Sequence, residues 1–143
     1  MMDITNLDQL KQITSQTPIV ICDFCASWCG PCKALKARLA ATTIPKFAND
    51  PMVAFVSVDI DKNREIAVNY SAMSVPTIMF FVKGVLDAKG YPAPLLFKSQ
   101  DSKGKITEHD RIVGNRPELP RELEAFIPAL KAKLAETPTQ KVD

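Results

Sequence analysis

Short apolar runs alternate with amphipathic segments along most of this 143-residue chain. The run at residues 18–24 is almost continuously apolar and has no strict period of two, which is typical of a strand that is covered on both faces. Similar runs, rich in β-branched residues, occur at residues 52–60 and 77–82. In residues 106–113 polar and apolar positions alternate, which favours an edge strand. The pattern therefore predicts four strands.

Between these runs, apolar residues recur at helical spacing. We expect one helix after a cap at Asn6, one that begins near Gly30 and is ended or kinked by Pro45, one over residues 63–70, and one over residues 117–134. Strands that alternate with helices predict an α/β fold, with helices on both faces of one sheet.

The length predicts a single domain over residues 1–143. One stretch does not fit a compact domain: residues 84–105 contain glycines and prolines without a clean period, and a loop of about twenty residues is often functional. With Lys83 included, the stretch has a local charge of +3, from five Lys and two Asp. The polar tail at residues 136–143 is expected to fray.

The overall charge argues against some classes of function. Lys and Arg total 18 against 16 Asp and Glu, so the net charge of +2 gives no case for nucleic-acid binding. No apolar run reaches the roughly 18 residues of a membrane span, so no membrane partner is expected. The first residues show no secretory signal, and we therefore expect a cytoplasmic protein.

The four cysteines, Cys22, Cys25, Cys29 and Cys32, all lie within eleven residues. A disulfide framework would spread cysteines along the chain, so this cluster indicates a site. Cys29 and Cys32 are three residues apart where the helix begins, close enough for a disulfide. The helix N-terminus favours a thiolate at Cys29, and Cys32, one turn further in, is expected to be less exposed and to act as the resolving thiol.

The neighbours of this pair fit thiol–disulfide exchange. Pro31 suits an early helical position, where its missing N–H costs little, and Trp28 would place a flat surface beside the reactive sulfur. Asp23 leaves two alternatives open. Buried, its carboxyl would have a raised pKa and could exchange a proton with Cys32, whereas at a strand end it would simply face water.

The spacing of the four cysteines does not match the usual metal sites. Zinc sites usually separate two Cys-x2-Cys pairs by about 12 to 20 residues, and the spacing also departs from iron–sulfur patterns, so no metal is expected. Cys22 is expected to be a small core residue. Cys25 is either core as well or a secondary redox thiol.

Several segments together resemble the thioredoxin family. The first is Asp23-Phe24 followed by the sequence from Trp28 to Lys33, WCGPCK. The resemblance continues through Val58-Asp59-Ile60-Asp61, through Val75-Pro76-Thr77, which is similar to the family's cis-proline loop, and to Gly114 and the closing helix. It covers most of the chain except residues 84–105.

The resemblance implies a thioredoxin fold, a central mixed sheet with helices on both faces, and reduction of protein disulfides. It implies that Cys29 is the nucleophile, Cys32 the resolving thiol and Asp23 the buried proton acceptor. The substrate-binding residues that it implies are Trp28, Gly30, Pro31, Val75, Pro76 and Gly114. No metal or organic cofactor is implied. The expected partners are disulfide-containing proteins and a separate recycling reductase, in electron transport and cell redox homeostasis.

Three departures from the family pattern bear on redox tuning and partner choice. Cys25 stands where an aromatic residue is usual, Ser57 where some members carry a lysine, and the helical proline soon after the motif is missing. Two other functions stay open: a reductant dedicated to one partner such as a peroxidase, docked through residues 84–105, and a binding or chaperone subunit that does not use its thiols.

Overall fold

The computed structural model describes residues 1–136. Its strands are β1 Met2–Asp3, β2 Ile19–Cys25, β3 Val53–Asp59, β4 Thr77–Leu86, β5 Pro92–Pro94, β6 Phe97–Gln100, β7 Ile106–His109 and β8 Ile112–Val113. Its helices are α1 Leu7–Gln16, α2 Gly30–Arg38, α3 Ile44–Lys46, α4 Arg64–Asn69 and α5 Leu119–Glu136. The predicted fraying of the tail concerns residues that, apart from Glu136, lie outside the described part.

The main sheet is mixed, as predicted. Its strands lie in the order β1-β3-β2-β4-β5, with β8 also paired to β4. The central strand β2 runs parallel to β3 and antiparallel to β4. Every residue of β2 is buried, which explains why its sequence is apolar without a period of two.

Helices cover both faces of this sheet. On one face, α1 and α4 pack against sheet residues such as Val20 and Phe24, and on the other face α2 and α5 pack against sheet residues such as Ile21 and Phe80.

At the start of α1 the predicted cap is confirmed, because the Asn6 side chain accepts a hydrogen bond from the Gln9 N–H at 2.8 Å. Within residues 1–136, no helix combines the length and hydropathy needed to cross a bilayer.

The second helical segment ends close to Pro45, as predicted, but passes first through a π-helical turn. α2 leads into this turn at Leu39–Thr43 and then into α3, which ends at Lys46. The wider turn is seen where the Ile44 N–H donates to the Leu39 carbonyl, five residues back. Proline cannot donate an N–H and crowds the preceding turn, so a helix can seldom continue regularly past it.

The prediction of an irregular loop over residues 84–105 is wrong. β4 continues to Leu86, a turn follows, and β5 returns along β4. β6 and β7 then form a second, two-stranded sheet, which we call the inserted hairpin (residues 97–109). The sequence did not reveal these short strands, because a strand of three or four residues shows no readable period.

The single edge strand predicted at residues 106–113 is two strands with different partners. β7 pairs with β6, whereas β8 pairs with β4 through Val113–Thr77 and Ile112–Ile78. The division falls at Asp110 and Arg111, which belong to neither strand.

Candidate active site

The Cys29–Cys32 pair lies where β2 gives way to α2. β2 ends at Cys25, and a short turn follows in which the Cys29 N–H donates to the Ala26 carbonyl at 3.1 Å. Cys29 is the N-cap of α2, and Gly30 and Pro31 occupy its first turn. This proline position requires no N–H donor, so the turn closes without an orphaned group.

The two cysteine sulfurs are within bonding distance, and their Cα atoms are 5.2 Å apart. The Cys32 N–H also points at the Cys29 sulfur, at 3.1 Å. This N–H and the helix dipole favour negative charge on Cys29 once the bond is reduced. Both residues are buried, with Cys29 4% and Cys32 2% exposed, so the expected difference in exposure is small.

The segment at residues 71–76, which we call the cis-proline loop, lies next to Cys29. The Val75 carbonyl oxygen is 3.8 Å from the Cys29 sulfur. The Val75–Pro76 peptide bond is cis, as the resemblance implied. Gly114 donates its N–H to the Pro76 carbonyl at 2.8 Å and has a φ of +96°, a conformation that side-chain-bearing residues seldom adopt. The Val75 carbonyl therefore lies next to the Cys29 sulfur, and Gly114 is hydrogen-bonded to the adjoining Pro76.

Trp28 lies at the surface beside the motif. Its side chain is 67% exposed and its indole N–H donates to the Asp61 carboxylate at 2.7 Å. Met73 in the cis-proline loop and Val113 next to Gly114 are also more than half exposed. All three are large apolar side chains that lie at the surface.

Asp23 lies deep in β2, and burial decides between the two alternatives left open by the sequence. It is 1% exposed, so the alternative that faces water is wrong. Within the described residues, neither carboxylate oxygen has a hydrogen-bond partner. Burial raises the pKa of Asp23 from 3.8 to about 7, while the nearby Lys36 ammonium acts in the opposite direction.

Lys36 is a component of the site that sequence reasoning missed. It follows Cys32 by four residues on α2, so the two side chains share a helix face. Its ammonium donates to the Ser57 hydroxyl at 3.1 Å, and Ser57 is the β3 residue in register with Asp23. The sequence did contain a signal for Lys36, namely its i, i+4 spacing from Cys32, which directs its side chain toward the sheet.

A cavity of about 510 Å³ opens beside this cluster and includes Cys25 and Cys32 in its lining. The Cys25 sulfur is 3.2 Å from the Ser57 hydroxyl and 3.9 Å from the Lys36 ammonium. Burial nevertheless raises the pKa of Cys25, and it also raises the pKa of Cys22 well above its ordinary value. Both cysteines are buried free thiols, which burial keeps protonated.

Metal-ligating side chains do not converge in the part of the chain that the structure describes. Over residues 1–136, no group of three or more His, Cys, Asp or Glu side chains is placed to hold an ion. The sulfur pair, the cis-proline loop and the buried carboxyl instead form a site suited to dithiol–disulfide exchange.

Comparisons with known proteins agree with this geometry. The family model described as Thioredoxin matches residues 2–117. A thioredoxin of Mycoplasmoides gallisepticum is 39% identical over 90 residues, which are 62% of this chain and 85% of the relative. A thioredoxin of Mycoplasma genitalium is 42% identical over 84 residues, or 58% of this chain and 78% of the relative.

Among solved structures, this chain is similar to oxidised mitochondrial thioredoxin 3 of Saccharomyces cerevisiae. The TM-score is 0.61 with 26% sequence identity, and the match covers 90% of this chain and 94% of the yeast chain. The predicted fold class is confirmed by this match together with the mixed, helix-flanked sheet.

Proposed function

This chain belongs to the thioredoxin family and is a protein-disulfide oxidoreductase, and on that premise we propose that Cys29 and Cys32 perform its exchange reaction in the roles of nucleophile and resolving thiol. The observation that supports this assignment most is the position of Cys29 at the N-cap of α2, where its sulfur accepts the Cys32 N–H. Only a thiolate attacks a disulfide, and this position favours one.

In the first step, the Cys29 thiolate attacks one sulfur of a substrate disulfide. A bond forms between Cys29 and that sulfur, and the other substrate sulfur leaves as a thiolate. The substrate is thereby half reduced and is held as a mixed disulfide. The backbone carbonyl and amide groups of the cis-proline loop near Val75 are suited to bind the extended backbone of the substrate, and we therefore call residues 71–76 the substrate loop from here on.

In the second step, Cys32 releases the product. Its proton passes to the Asp23 carboxylate, and the Cys32 thiolate attacks the Cys29 sulfur, which forms the intramolecular disulfide and frees the second substrate thiolate. A pKa of about 7 suits Asp23 to this task, because near neutral pH it can both accept and return a proton.

The substrate surface includes the exposed Trp28, the first turn at Gly30 and Pro31, and Gly114, where no side chain obstructs an approaching partner. The partners that we propose are target proteins that contain disulfides and a separate reductase that restores the Cys29–Cys32 dithiol. Its setting is the cytoplasm, where it would carry electrons in cell redox homeostasis. The exchange needs no cofactor, since the reduced Cys29–Cys32 pair itself supplies the two electrons that reduce the substrate disulfide.

The inserted hairpin favours a second, narrower candidate: a reductant dedicated to one partner such as a peroxidase. Lys98, Lys103 and Lys105 are exposed on this element, and exposed charges steer association. Replacing all three with Ser should slow reduction of that partner while leaving insulin reduction unchanged. If the triple variant reduced every partner as fast as the wild type does, the dedicated role would be rejected.

Reduction of insulin disulfides, driven by dithiothreitol, tests the proposal. Cys29→Ser should abolish the activity, because no other thiol occupies the helix N-terminus. Cys32→Ser should stop turnover but retain the first attack, so that a mixed disulfide accumulates. The matched control is Cys22→Ser, which removes a buried thiol of the same chain and should keep full activity. Full activity in the Cys29→Ser protein would refute the assignment.

A further inference from the structure

Four consecutive residues, 111–114, hold both ends of the substrate loop. At its beginning, the Arg111 guanidinium donates to the carbonyls of Tyr70 and Ser71, at 2.8 and 3.0 Å. At its end, the Gly114 N–H donates to the Pro76 carbonyl at 2.8 Å. Between these contacts, β8 pairs with the first residues of β4. The position of the loop beside Cys29 therefore depends on a segment that directly follows the inserted hairpin.

The carbonyls that Arg111 binds have a particular need for a donor. They follow the C-terminus of α4, where the last carbonyls lack helical partners and the dipole is negative. Ser71 also has a φ of 52°, a left-handed conformation that a residue with a side chain adopts only when its surroundings hold it there. A forked guanidinium can bind two adjacent carbonyls at once, whereas a lysine ammonium is a single point of charge.

Arg111 is itself held in place. The Asp110 carboxylate accepts from Arg111 Nε at 2.8 Å and from its Nη2 at 3.1 Å, and the Arg111 side chain is 26% exposed. The hydrogen bond from Arg111 also lowers the pKa of Asp110, so that carboxylate stays ionised near neutral pH. A guanidinium fixed on one side by a carboxylate presents its remaining donors to the loop in one orientation.

We propose that Arg111 is a positioning residue that fixes the substrate loop beside Cys29 and thereby sets the affinity for protein disulfides. This inference rests on the proposed function, since it assigns the loop near Val75 to substrate binding. The connection is short, because Ser71 and Val75 are four residues apart and the Val75 carbonyl lies 3.8 Å from the Cys29 sulfur. A loop that is loose at Ser71 must be ordered again whenever an extended substrate binds, and this weakens binding.

A purely structural role makes a different prediction. If Arg111 only capped α4, its loss would lower stability and would affect all substrates alike. A positioning role acts selectively, because an extended polypeptide uses the loop backbone, whereas a small aromatic disulfide needs only access to the Cys29 sulfur.

Single-turnover kinetics with pre-reduced protein separate the two roles. Insulin and 5,5′-dithiobis(2-nitrobenzoate) serve as the large and small disulfides, and rates are measured against substrate concentration for the wild type, Arg111→Met, Arg111→Lys and the control Arg64→Met. Arg64 is an exposed arginine at the opposite end of α4. Thermal midpoints of all four proteins report the structural contribution.

For Arg111→Met we expect the half-saturating insulin concentration to rise about tenfold, with the rate toward the small disulfide within about twofold of wild type. Arg111→Lys should fall between wild type and Arg111→Met, and Arg64→Met should match wild type. An unchanged half-saturating insulin concentration, or an equal loss of reactivity toward insulin and the small disulfide, would overturn the inference. If Arg111→Met does not fold, the same comparison is made with Arg111→Lys. Wild-type protein that reduces neither disulfide would instead refute the proposed function, and the inference with it.

Discussion

Replacing Asp23 with Asn should stabilise the oxidised protein in a way that depends on pH. In the native state this carboxyl is 1% exposed and has no hydrogen-bond partner in the described structure. Its folded pKa is about 7, against an ordinary value of 3.8. An amide of nearly the same shape removes the ionisation without opening a cavity.

The magnitude follows from linkage between proton binding and folding. Below about pH 4, Asp23 is protonated in both states and contributes no pH-dependent term. As the pH rises from 3.8 to 7, the unfolded chain releases the proton while the native protein keeps it, so stability falls. The interval is about 3 pH units at 1.36 kcal/mol each, which gives a loss of about 4 kcal/mol that is complete above pH 7. The gain from Asp23→Asn should therefore grow across this interval.

Urea unfolding of both oxidised proteins at pH 4, 5.5, 7 and 8.5 measures this difference, and other titrating groups cancel in the comparison. Asp8→Asn replaces an exposed carboxyl on α1 and should change stability by no more than about 0.5 kcal/mol at any pH. A gain from Asp23→Asn that is the same at pH 4 and pH 8.5 would show that Asp23 does not carry a raised pKa.

Two further predictions concern neighbouring parts of the molecule. Lys36→Met should raise the pKa of Asp23 above 7, because the opposing positive charge is lost. NMR of the Asp23 carboxyl carbon as a function of pH measures this, with Lys33→Met as the control, and an unchanged pKa of Asp23 in Lys36→Met would contradict the effect. Phe97→Ala should lower stability by about 3 kcal/mol, because its ring packs against Phe80 with centroids 6.0 Å apart, and should speed amide exchange in the inserted hairpin. Thermal unfolding and hydrogen exchange test this, and slow exchange throughout the hairpin would contradict it.

The sequence predicted best those features that depend on a few adjacent residues. The apolar period identified the central strands, and the first-turn position of Pro31 identified the start of α2. The environment of Asp23 needed the fold, because a carboxyl in a strand has the same local sequence whether it faces a helix or water. Its burial results from packing by residues distant in the chain.

Contacts between distant segments were beyond sequence reasoning. Trp28 was placed beside the sulfurs, but its hydrogen bond to Asp61 joins residues 33 positions apart. Arg111 lay within a predicted strand, and its function becomes visible only when the substrate loop is brought against it. The inserted hairpin escaped prediction because its strands are too short for a pattern and are stabilised by aromatic packing with α5.

Mass spectrometry of a trapped intermediate tests the central claim most directly. The pre-reduced Cys32→Ser protein is mixed with a peptide that contains one disulfide, and the adduct is located after digestion without reductant. The claim predicts one mixed disulfide, at Cys29, and none at the buried Cys22 and Cys25. An adduct on Cys25, or no adduct on Cys29, would contradict it.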